Sequence, residues 1–502
     1  MNLSLFLLLP LATAIALLFA QGLKQIRVIA LGGSVLQLLL GFKLLFAYQE
    51  LRATGNTTQM LFEYIQKWYG PLNLQYHVGV DGISIAMILL TAFIVVAGIL
   101  VSWEMETLSK EFFFLLILLS LGAYGFFISL DIFTMFFFLE VAVIPKFLLI
   151  GIWGSGKKEY SAMKLALMLM GGSALILVGI LGIYFSSQTA TGTHTFDLMQ
   201  LAKMNIPLRT QMMFFPFAFI GFGVFTAIFP FHTWVPDGHA SAPTAASMFL
   251  AGISMKLGGY GLLRVATFLM PDAAHEFSWL IILLATIAII YGAFATMMQT
   301  DLKYINAYSS ISHCGFVILG IGMLTQTSIN GAVMQMVSHG LMTALFFAAI
   351  GMIYARTHTR MVAQLGGLLK VMPFISTVFV IAGLSSLGLP GFSGFVAEMT
   401  VFMGAWENPD KWYRLATILA CASIVVTAVY ILRAAGQSLM GPITNHSYHN
   451  LKDAKWNEKT AAVLLIAGIL VVGMAPFWLI NLIQPGTEFI INKLAMMAPV
   501  LK

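Results

Sequence analysis

Five ionisable residues lie deep inside long apolar stretches of this sequence: Glu140, Lys256, His313, His339 and Glu398. A charge in such surroundings is costly, so each group must be neutral, paired or hydrated, and its proton affinity then depends on its neighbours. Carboxylates, desolvated lysines and histidines of this kind can accept a proton and pass it on. The five residues therefore predict a path for protons. The competing interpretation at each position is a structural hydrogen bond or an ion-pair brace.

Three further residues have two open interpretations each. Lys146 follows Pro145 and stands six positions beyond Glu140, which on a helix is about 9 Å of rise and about 120° around the axis. It either extends to the cytoplasmic surface or acts electrostatically on Glu140, where one unit charge at about 9 Å and an effective dielectric near 20 is worth about 2 kcal/mol. His232 and His239 flank a proline-rich break, and proton uptake there competes with a cap or loop contact.

The composition places these residues in a lipid bilayer. Of 502 residues, 59% are hydrophobic and 9% are charged, which is far too few charges for a soluble surface. Basic residues are scattered among short connections, so no nucleic-acid partner is predicted. Cys314 and Cys421 lack the spacing of a metal site, and neither a disulfide nor a metal is expected. Since Rossmann, P-loop, CxxC, haem and flavin motifs are missing, we expect no cofactor in this chain.

Apolar windows long enough to cross a membrane predict an all-α polytopic protein with about fourteen spans. We place them near 3–20, 26–48, 83–102, 111–129, 131–151, 163–186, 211–230, 243–269, 277–299, 304–325, 329–354, 372–403, 413–436 and 460–483. The longer connections, near 50–81, 187–210 and 437–459, are amphipathic or polar. Connections after odd-numbered spans carry about 14 Lys and Arg against about 10 on the other side, termini included, so the positive-inside rule predicts that both termini lie outside the plasma membrane.

The order of the spans contains a repeat. The seventh span, with breaks predicted at Pro230 and Pro236, recurs about 160 residues later as a twelfth span broken at residues 388–391. Because each unit holds five helices, the second copy is inverted, which is the pattern of an ion path with discontinuous helices. Four regions follow: helices 1–3 at 1–110, the first repeat at 111–269, the second repeat at 270–436, and a loop with helix 14 at 437–502.

Several motifs identify a family. Residues 229–245, 250–264 and 301–315, together with 79–84 and 388–391, resemble the antiporter-like proton-channel subunits of respiratory complex I. Mrp-type antiporter and membrane hydrogenase subunits belong to the same group. Glu398, where L- and N-type chains carry lysine, and the lack of a long lateral helix after the last span make the sequence most similar to chain M of this group.

The resemblance implies a membrane-arm subunit of a proton-translocating NADH-quinone oxidoreductase in the bacterial plasma membrane. By this resemblance Glu140, Lys256, His313, His339 and Glu398 match the family's proton-path positions. NADH, flavin, iron–sulfur clusters and quinone would be bound by partner subunits, and chains L and N would be neighbours within the lipid. Proton movement from the cytoplasm to the outside would be driven by redox chemistry that takes place in other subunits.

One position departs from the family pattern. The family carries a lysine on the seventh span, paired with the glutamate of the fifth, and Phe225 stands there in this sequence. We therefore hypothesise that Lys146 supplies the missing charge to Glu140 from the fifth span. Two other functions stay open: an Mrp-type cation/proton antiporter subunit, and a stand-alone secondary solute transporter.

Overall fold

The computed structural model describes residues 1–187 and 192–497, and these are mostly helical. The α-helices are α1 Leu5–Phe19, α2 Leu23–Ala53, α3 Gly82–Val101, α4 Ser109–Ile128, α5 Ile132–Trp153, α6 Lys158–Ser186, α7 Leu198–Lys203, α8 Leu208–Thr226, α9 Trp234–Ser241, α10 Thr244–Phe249, α11 Met255–Gly261, α12 Pro271–Glu276, α13 Ser278–Met297, α14 Leu302–Gly322, α15 Gln326–Thr357, α16 Leu368–Val371, α17 Pro373–Ser386, α18 Ser393–Glu407, α19 Lys411–Leu439, α20 Trp456–Met474 and α21 Pro476–Met497. The remaining elements are strands β1 Leu61–Tyr69 and β2 Leu74–Val80, 3-10 turns Gly70–Leu72, Val362–Gln364 and His446–Asn450, and π-helical turns Leu250–Ser254 and Leu262–Thr267.

The helices are those of a multi-pass membrane protein. Within the described ranges, ten helices are long and apolar enough to cross a bilayer. The most enclosed of them are α3 and α15, which other helices cover on nearly all sides. Since α15 carries His339, that histidine lies at the centre of the bundle.

The predicted connection 50–81 contains an antiparallel hairpin. Strands β1 and β2 pair in a register that sets Ile65 opposite His77. The aromatic and β-branched side chains of β1 favour a strand, a signal that the hydropathy windows missed. The predicted connection 187–210 includes residues 188–191, and the predicted last region includes 498–502; both segments lie outside the described residues.

The first break in the helices lies where the sequence predicts it, with one correction. Helix α8 ends at Thr226, and the chain becomes helical again at Trp234, so Pro230 falls in the interruption. Pro236 was wrongly predicted to break the chain. It lies in the first turn of α9, where a missing backbone N–H costs no helical hydrogen bond. The indole of Trp234 donates to the carbonyl of Val224 (2.9 Å) and ties α9 back to the end of α8.

The second break separates α17 from α18 over residues 387–392. Gly388 and Gly391 take positive φ values of 71° and 94° there, which glycine adopts without strain. The predicted last span at 460–483 was wrong at its end, because α20 stops at Met474 and Pro476 starts a new helix, a position that proline favours. Helix α21 buries one face and packs on α3 and α15.

The eighth predicted span is one helical stretch in which the α-helical hydrogen-bonding pattern is interrupted twice by a π-helical turn. A π-helical turn precedes α11 and another follows it, so Lys256 lies just after the first and Arg264 lies inside the second. A Cβ atom on Gly258 would lie 2.5 Å from the backbone nitrogen of Thr226. Glycine therefore lets α11 approach the end of α8 closely, as the small residues around Lys256 predict.

Candidate proton-transfer site

Lys256 is the first member of a buried polar series. Lys256 is 1% exposed, and its Nζ donates to the carbonyl oxygen of Ala251 at 2.5 Å. The same nitrogen is hydrogen-bonded to Nδ1 of His339 on α15 at 2.8 Å. π-helical turns are frequent at functional sites, and here one directly precedes the helix that carries this lysine. Lys256 and His339 are thus joined by a direct hydrogen bond.

The two histidines of the site face each other across α14 and α15. The ring centroids of His313 and His339 are 5.4 Å apart. Nε2 of Gln335 lies 3.4 Å from Nδ1 of His313, while Nε2 of His339 has no hydrogen-bond partner among the described residues. No direct hydrogen bond among the described residues therefore joins the ring of His339 to the ring of His313.

Glu398 completes the series because the second break brings α18 against α14. Its Oε1 lies 3.3 Å from Nδ1 of His313, and both side chains are buried. Nε2 of His313 is 3.0 Å from the hydroxyl of Ser386, the last residue of α17. A Cβ atom on Gly388 would lie 2.8 Å from Oε2 of Glu398, so glycine in the break leaves room for this carboxylate.

We call Lys256, His339, His313 and Glu398 the histidine file. Its four side chains come from α11, α15, α14 and α18, so chain segments about 140 residues apart meet in one place. Imidazole can receive a proton at one nitrogen and release one from the other. The two ends of the histidine file, Lys256 with His339 and His313 with Glu398, are each in contact, and the 5.4 Å between the ring centroids separates them.

Glu140 and Lys146 form a separate group on α5, which we call the Glu140–Lys146 pair. Helix α5 begins at Ile132 because Asp131 caps it, accepting from the backbone nitrogens of Phe133 (3.0 Å) and Thr134 (2.9 Å). Lys146 is 1% exposed, so the alternative in which it extends to the cytoplasmic surface is wrong. Its Nζ lies 5.8 Å from the ring centroid of Phe225 and has no hydrogen-bond partner in the described part of the chain.

The two charges of this pair act on each other through space. Each is an electrostatic neighbour of the other, and the hydroxyl of Ser173 on α6 faces Glu140. Oε1 of Glu140 and Oγ of Ser173 both lack a hydrogen-bond partner within residues 1–187 and 192–497. The amine of Lys146 thus lies near Phe225, the position at which the resemblance implies a lysine.

The two histidines at the first break differ in position. His232 stacks on Phe229 with centroids 5.6 Å apart, and its ring lies 4.8 Å from that of Tyr291. His239 is fully buried against Phe347 of α15, and neither of its ring nitrogens has a partner among the described residues. The charges of Lys256 and Lys303 both act on His239. His239 therefore adjoins the histidine file, and His232 lies to one side.

Several polar neighbours of the site escaped the sequence analysis. Lys303 was counted as a topology signal, yet it is buried and donates to the carbonyl oxygen of Ala242 at 2.6 Å. On the same helix Asn306 is fully buried with its amide unpartnered among the described residues. Lys303, Asn306, Ser310 and His313 recur at intervals of three and four, so a helical stripe was the signal that could have found them.

No group of three or more His, Cys, Asp or Glu side chains that could hold a metal ion occurs in the ranges that the structure describes. The site consists of buried titratable side chains carried by several helices.

A family model described as NADH:quinone oxidoreductase/Mrp antiporter, TM, matches residues 129–427, which include all the residues of both charged groups. The chain belongs to this family. NADH-quinone oxidoreductase subunit M of Rickettsia bellii is 36% identical over 447 residues, covering 88% of each chain. NAD(P)H-quinone oxidoreductase chain 4-2 of Synechocystis is 37% identical over 423 residues, covering 83% of this chain and 74% of that protein.

Solved structures share the family fold along the whole chain. A chain of respiratory complex I from Thermus thermophilus superposes with a TM-score of 0.88 at 24% identity, covering 98% of this chain and 99% of that one. A chain of the Mrp complex from Dietzia superposes with a TM-score of 0.84 at 17% identity, covering 98% of both. The fold is therefore common to both branches of the family, and it does not by itself distinguish them.

Proposed function

We propose that this chain is a membrane-arm subunit of a proton-translocating NADH-quinone oxidoreductase and moves protons from the cytoplasm to the outside. The observation that carries the proposal is the buried, hydrogen-bonded histidine file in a chain of this family. Relatives named NADH-quinone oxidoreductase subunit M at 36% identity support the oxidoreductase branch. The chain then contributes to an enzyme complex without performing the redox step.

The full architecture in this proposal has fourteen spans and two inverted five-helix repeats. Every predicted span overlaps a helix or a series of helices, and the two interruptions, at 227–233 and 387–392, fall at matching places in the order of elements. The four regions are 1–110, 111–269, 270–436 and 437–502. Inverted repeats with broken helices at matching positions favour an ion path between the halves.

The surroundings of the chain follow from the same proposal. Both termini lie on the outer side of the bacterial plasma membrane, as the distribution of basic residues favours. NADH, flavin, iron–sulfur clusters and quinone are bound by partner subunits. The neighbours in the membrane are the antiporter-like chains L and N.

The histidine file performs the central transfer. A proton taken up from the cytoplasmic side reaches Lys256 through the region of His239, on α9, and Lys303, in the first turn of α14. Lys256 exchanges a proton with His339 through their 2.8 Å contact, and His313 exchanges one with Glu398. The direction is set by charges outside the file, since a nearby charge changes which group holds the proton most tightly.

The Glu140–Lys146 pair is the proposed source of that bias within the chain. A buried cation near Phe225 stabilises the ionised form of Glu140, and a change in their separation alters the field that reaches Lys256. At an effective dielectric near 20, one charge still contributes about 1 kcal/mol at about 15 Å. Lys146 thereby replaces, from α5, the lysine that the family carries on α8.

The proposal is tested by purifying the chain with an affinity tag from its native membrane. Partners that bind flavin and iron–sulfur clusters, together with NADH:quinone activity that acidifies the lumen of inside-out vesicles, support it. Recovery with Mrp partners and sodium-driven proton exchange would establish the antiporter function instead, which the Mrp-like fold also permits. Recovery as a monomer that takes up a solute would favour the stand-alone transporter.

A further inference from the structure

An apolar cavity of about 310 Å³ lies between α2, α3, α15, α20 and α21, and its wall includes no member of either charged group. It is about twice as large as an engineered protein cavity that stays dry and binds benzene. The side chains of its wall carry only carbon and hydrogen, apart from a single nitrogen, Nε1 of Trp478 on α21. A buried water molecule needs several polar partners, so this cavity is not a water site.

The cavity opens towards the hydrocarbon of the bilayer. Its mouth lies on α20, where Ala467 and Val471 are both exposed, and α20 is one of the helices that are long and apolar enough to cross a membrane. The inner wall includes Leu90 of α3 together with Val337 and Leu341 of α15, which are at most 6% exposed. Bulk lipid therefore reaches these three buried side chains only through the cavity.

Trp478 lies at the level of the membrane surface. Helix α20 has 19 residues, about 28 Å of length and close to the thickness of the hydrocarbon layer, and Trp478 follows its last residue by four positions. Farther along α21, Thr487 accepts a hydrogen bond from Nε2 of Gln326, the first residue of α15, at 2.7 Å. Helix α21 therefore lies against the end of another span. Tryptophan is enriched at this depth, where the polar groups of lipids begin.

The indole N–H of Trp478 lacks an acceptor. Its Nε1 atom is buried and has no hydrogen-bond partner among the described residues. Buried indole N–H groups usually find a partner, because an unpaired donor is costly. The occupant of the cavity must therefore supply an apolar body and, near the membrane surface, an acceptor. A transmembrane helix of a neighbouring subunit offers side-chain carbon, but its main-chain carbonyls are already bonded within that helix. A lipid ester offers both.

We propose that the cavity binds one acyl chain of a phospholipid, and that the ester carbonyl oxygen of that chain accepts a hydrogen bond from Nε1 of Trp478. The depth of the cavity fits this occupant. Val337 follows the first residue of α15 by eleven positions, about 16 Å along the helix and roughly half of the hydrocarbon thickness. One acyl chain fills one such half. The site goes beyond the proposed function and does not depend on it, since the cavity wall holds none of the proton-path residues.

The bound acyl chain packs against the helix that carries His339. Val337 and Leu341 share one side of α15, and position 339 is about 200° around the axis from each of them, so the lipid lies behind the histidine. Atoms that face an empty space lose their dispersion partners, so an unfilled cavity would deprive this side of α15 of packing. The acyl chain is thus a structural ligand that supports the centre of the bundle.

The test uses the assembled complex, purified from its native membrane and reconstituted into vesicles of phosphatidylethanolamine and phosphatidylglycerol. The probe is a trace of phosphatidylethanolamine with a diazirine near the end of one acyl chain, and peptide mass spectrometry locates its adducts after illumination. We expect adducts on Val337 and Leu341 in the wild type. Ala467→Phe closes the mouth and should remove these adducts. Val463→Phe, at a 56% exposed position one turn away and outside the cavity, is the control and should keep them.

The role of Trp478 is tested by the linkage of the probe. An ether-linked probe lacks the carbonyl oxygen, and we expect it to label Leu341 roughly fivefold less than the ester-linked probe, the effect of one net hydrogen bond. Trp478→Phe keeps an aromatic ring, removes the N–H and should abolish this preference. Trp279→Phe, at an exposed tryptophan outside the cavity, should retain it.

Two results would overturn the inference. Wild-type adducts that are confined to exposed residues such as Val463 would show that no acyl chain enters the cavity. Equal labelling of Leu341 by the two probes in the wild type would show that Trp478 does not bind the ester. Neither readout involves proton pumping, so a failure of the lipid site leaves the proposed function standing. Should Ala467→Phe not assemble, the comparison of Trp478→Phe with Trp279→Phe still decides the question.

Discussion

The histidine file and the Glu140–Lys146 pair lie in the same helix bundle but differ in how their buried titratable groups are hydrogen-bonded. In the file, Lys256 and His339 are hydrogen-bonded, and His313 is paired with Glu398. In the pair, neither Oε1 of Glu140 nor Nζ of Lys146 has a hydrogen-bond partner in the described residues. Hydrogen-bonded groups can exchange a proton directly, whereas separated charges change each other's energy through the Coulomb field alone. This difference in contacts is the basis for our proposal that the first region transfers protons and the second biases the transfer.

The largest expected effect follows from removing a member of the histidine file. Lys256→Met keeps the length of the side chain and removes its charge, so proton transfer from Lys256 to His339 is lost. We expect transfer through the chain to slow by about two orders of magnitude, the usual contribution of a positioned acid or base. Lumen acidification per NADH oxidised in inside-out vesicles measures it. Lys157→Ala, an exposed lysine at the start of α6, is the control and should pump normally.

A smaller effect is expected from the Glu140–Lys146 pair, because it acts through space. Lys146→Ala removes a charge worth about 2 kcal/mol at about 9 Å, so proton transfer should slow by roughly thirtyfold. The same acidification assay in inside-out vesicles measures this slowing. Lys157→Ala again serves as the control. Equal pumping in the two variants would show that Lys146 does not modulate the site.

The neighbouring phenylalanine offers a gain-of-function version of the same comparison. Phe225→Lys puts a lysine where the family pattern has one, within reach of the position that Nζ of Lys146 occupies. Combined with Lys146→Ala, it should restore pumping to near the wild-type rate. Phe225→Lys alone would place two cations together and should impair pumping. A double variant no better than Lys146→Ala would contradict the relocation of the charge.

The sequence predicted the family and the multi-pass helical class correctly because both depend on local signals. Apolar windows mark helices, and motif residues such as those at 229–245 identify the family directly. The second break was predicted for the same reason, since Gly388 and Gly391 are residues that adopt positive φ values without strain. The wrong prediction at Pro236 shows the limit of such signals: a proline interrupts a helix or starts one depending on which turn it occupies.

The connections within the site were beyond the sequence analysis because they are tertiary. No sequence signal near His313 predicts its contact with Glu398, because that contact depends on the direction that α18 takes after the second break. Burial was equally hard to foresee: Lys303 follows a capping aspartate and looks like a surface lysine, yet it is 4% exposed. The roles of Glu140, Lys146 and the histidine file stay predictions that the variants above test.

The histidines at the first break sharpen the comparison further. His239 is buried between the charges of Lys256 and Lys303, whereas His232 stacks on Phe229 to one side. If protons enter the histidine file near His239, His239→Asn should slow pumping a few-fold. His232→Asn should leave pumping nearly unchanged. Initial rates of acidification at limiting NADH measure this. The reverse order would move the uptake route towards His232.

The smallest expected effect concerns the N-terminal end of α5, where the helix that carries the Glu140–Lys146 pair is anchored. The backbone nitrogen of Leu130 donates to the carbonyl oxygen of His77 at 2.8 Å, which joins β2 to the corner where α5 begins. Nδ1 of His77 lies 2.5 Å from Oδ2 of Asp197, and Nε2 lies 3.3 Å from Oε2 of Glu63. Burial disfavours the charged imidazole, but the hydrogen bond and charge of Asp197, with Glu63, outweigh it and raise the pKa of His77.

A raised pKa fixes the sign of the pH dependence. The protonated histidine stabilises the folded hairpin fully below about pH 6.5, its pKa in the unfolded chain, and this contribution is lost as pH rises through the folded pKa. Hydrogen exchange of residues 61–80 in the intact complex, corrected for intrinsic rates, should show less protection at pH 8.5 than at pH 6. His77→Gln should remove that dependence, at a cost of about 1 kcal/mol at pH 6. The exposed His446→Gln should keep it. Unchanged pH dependence in His77→Gln would mean that another group holds the N-terminal end of α5, and the anchoring of the pair would have to be sought elsewhere at that corner.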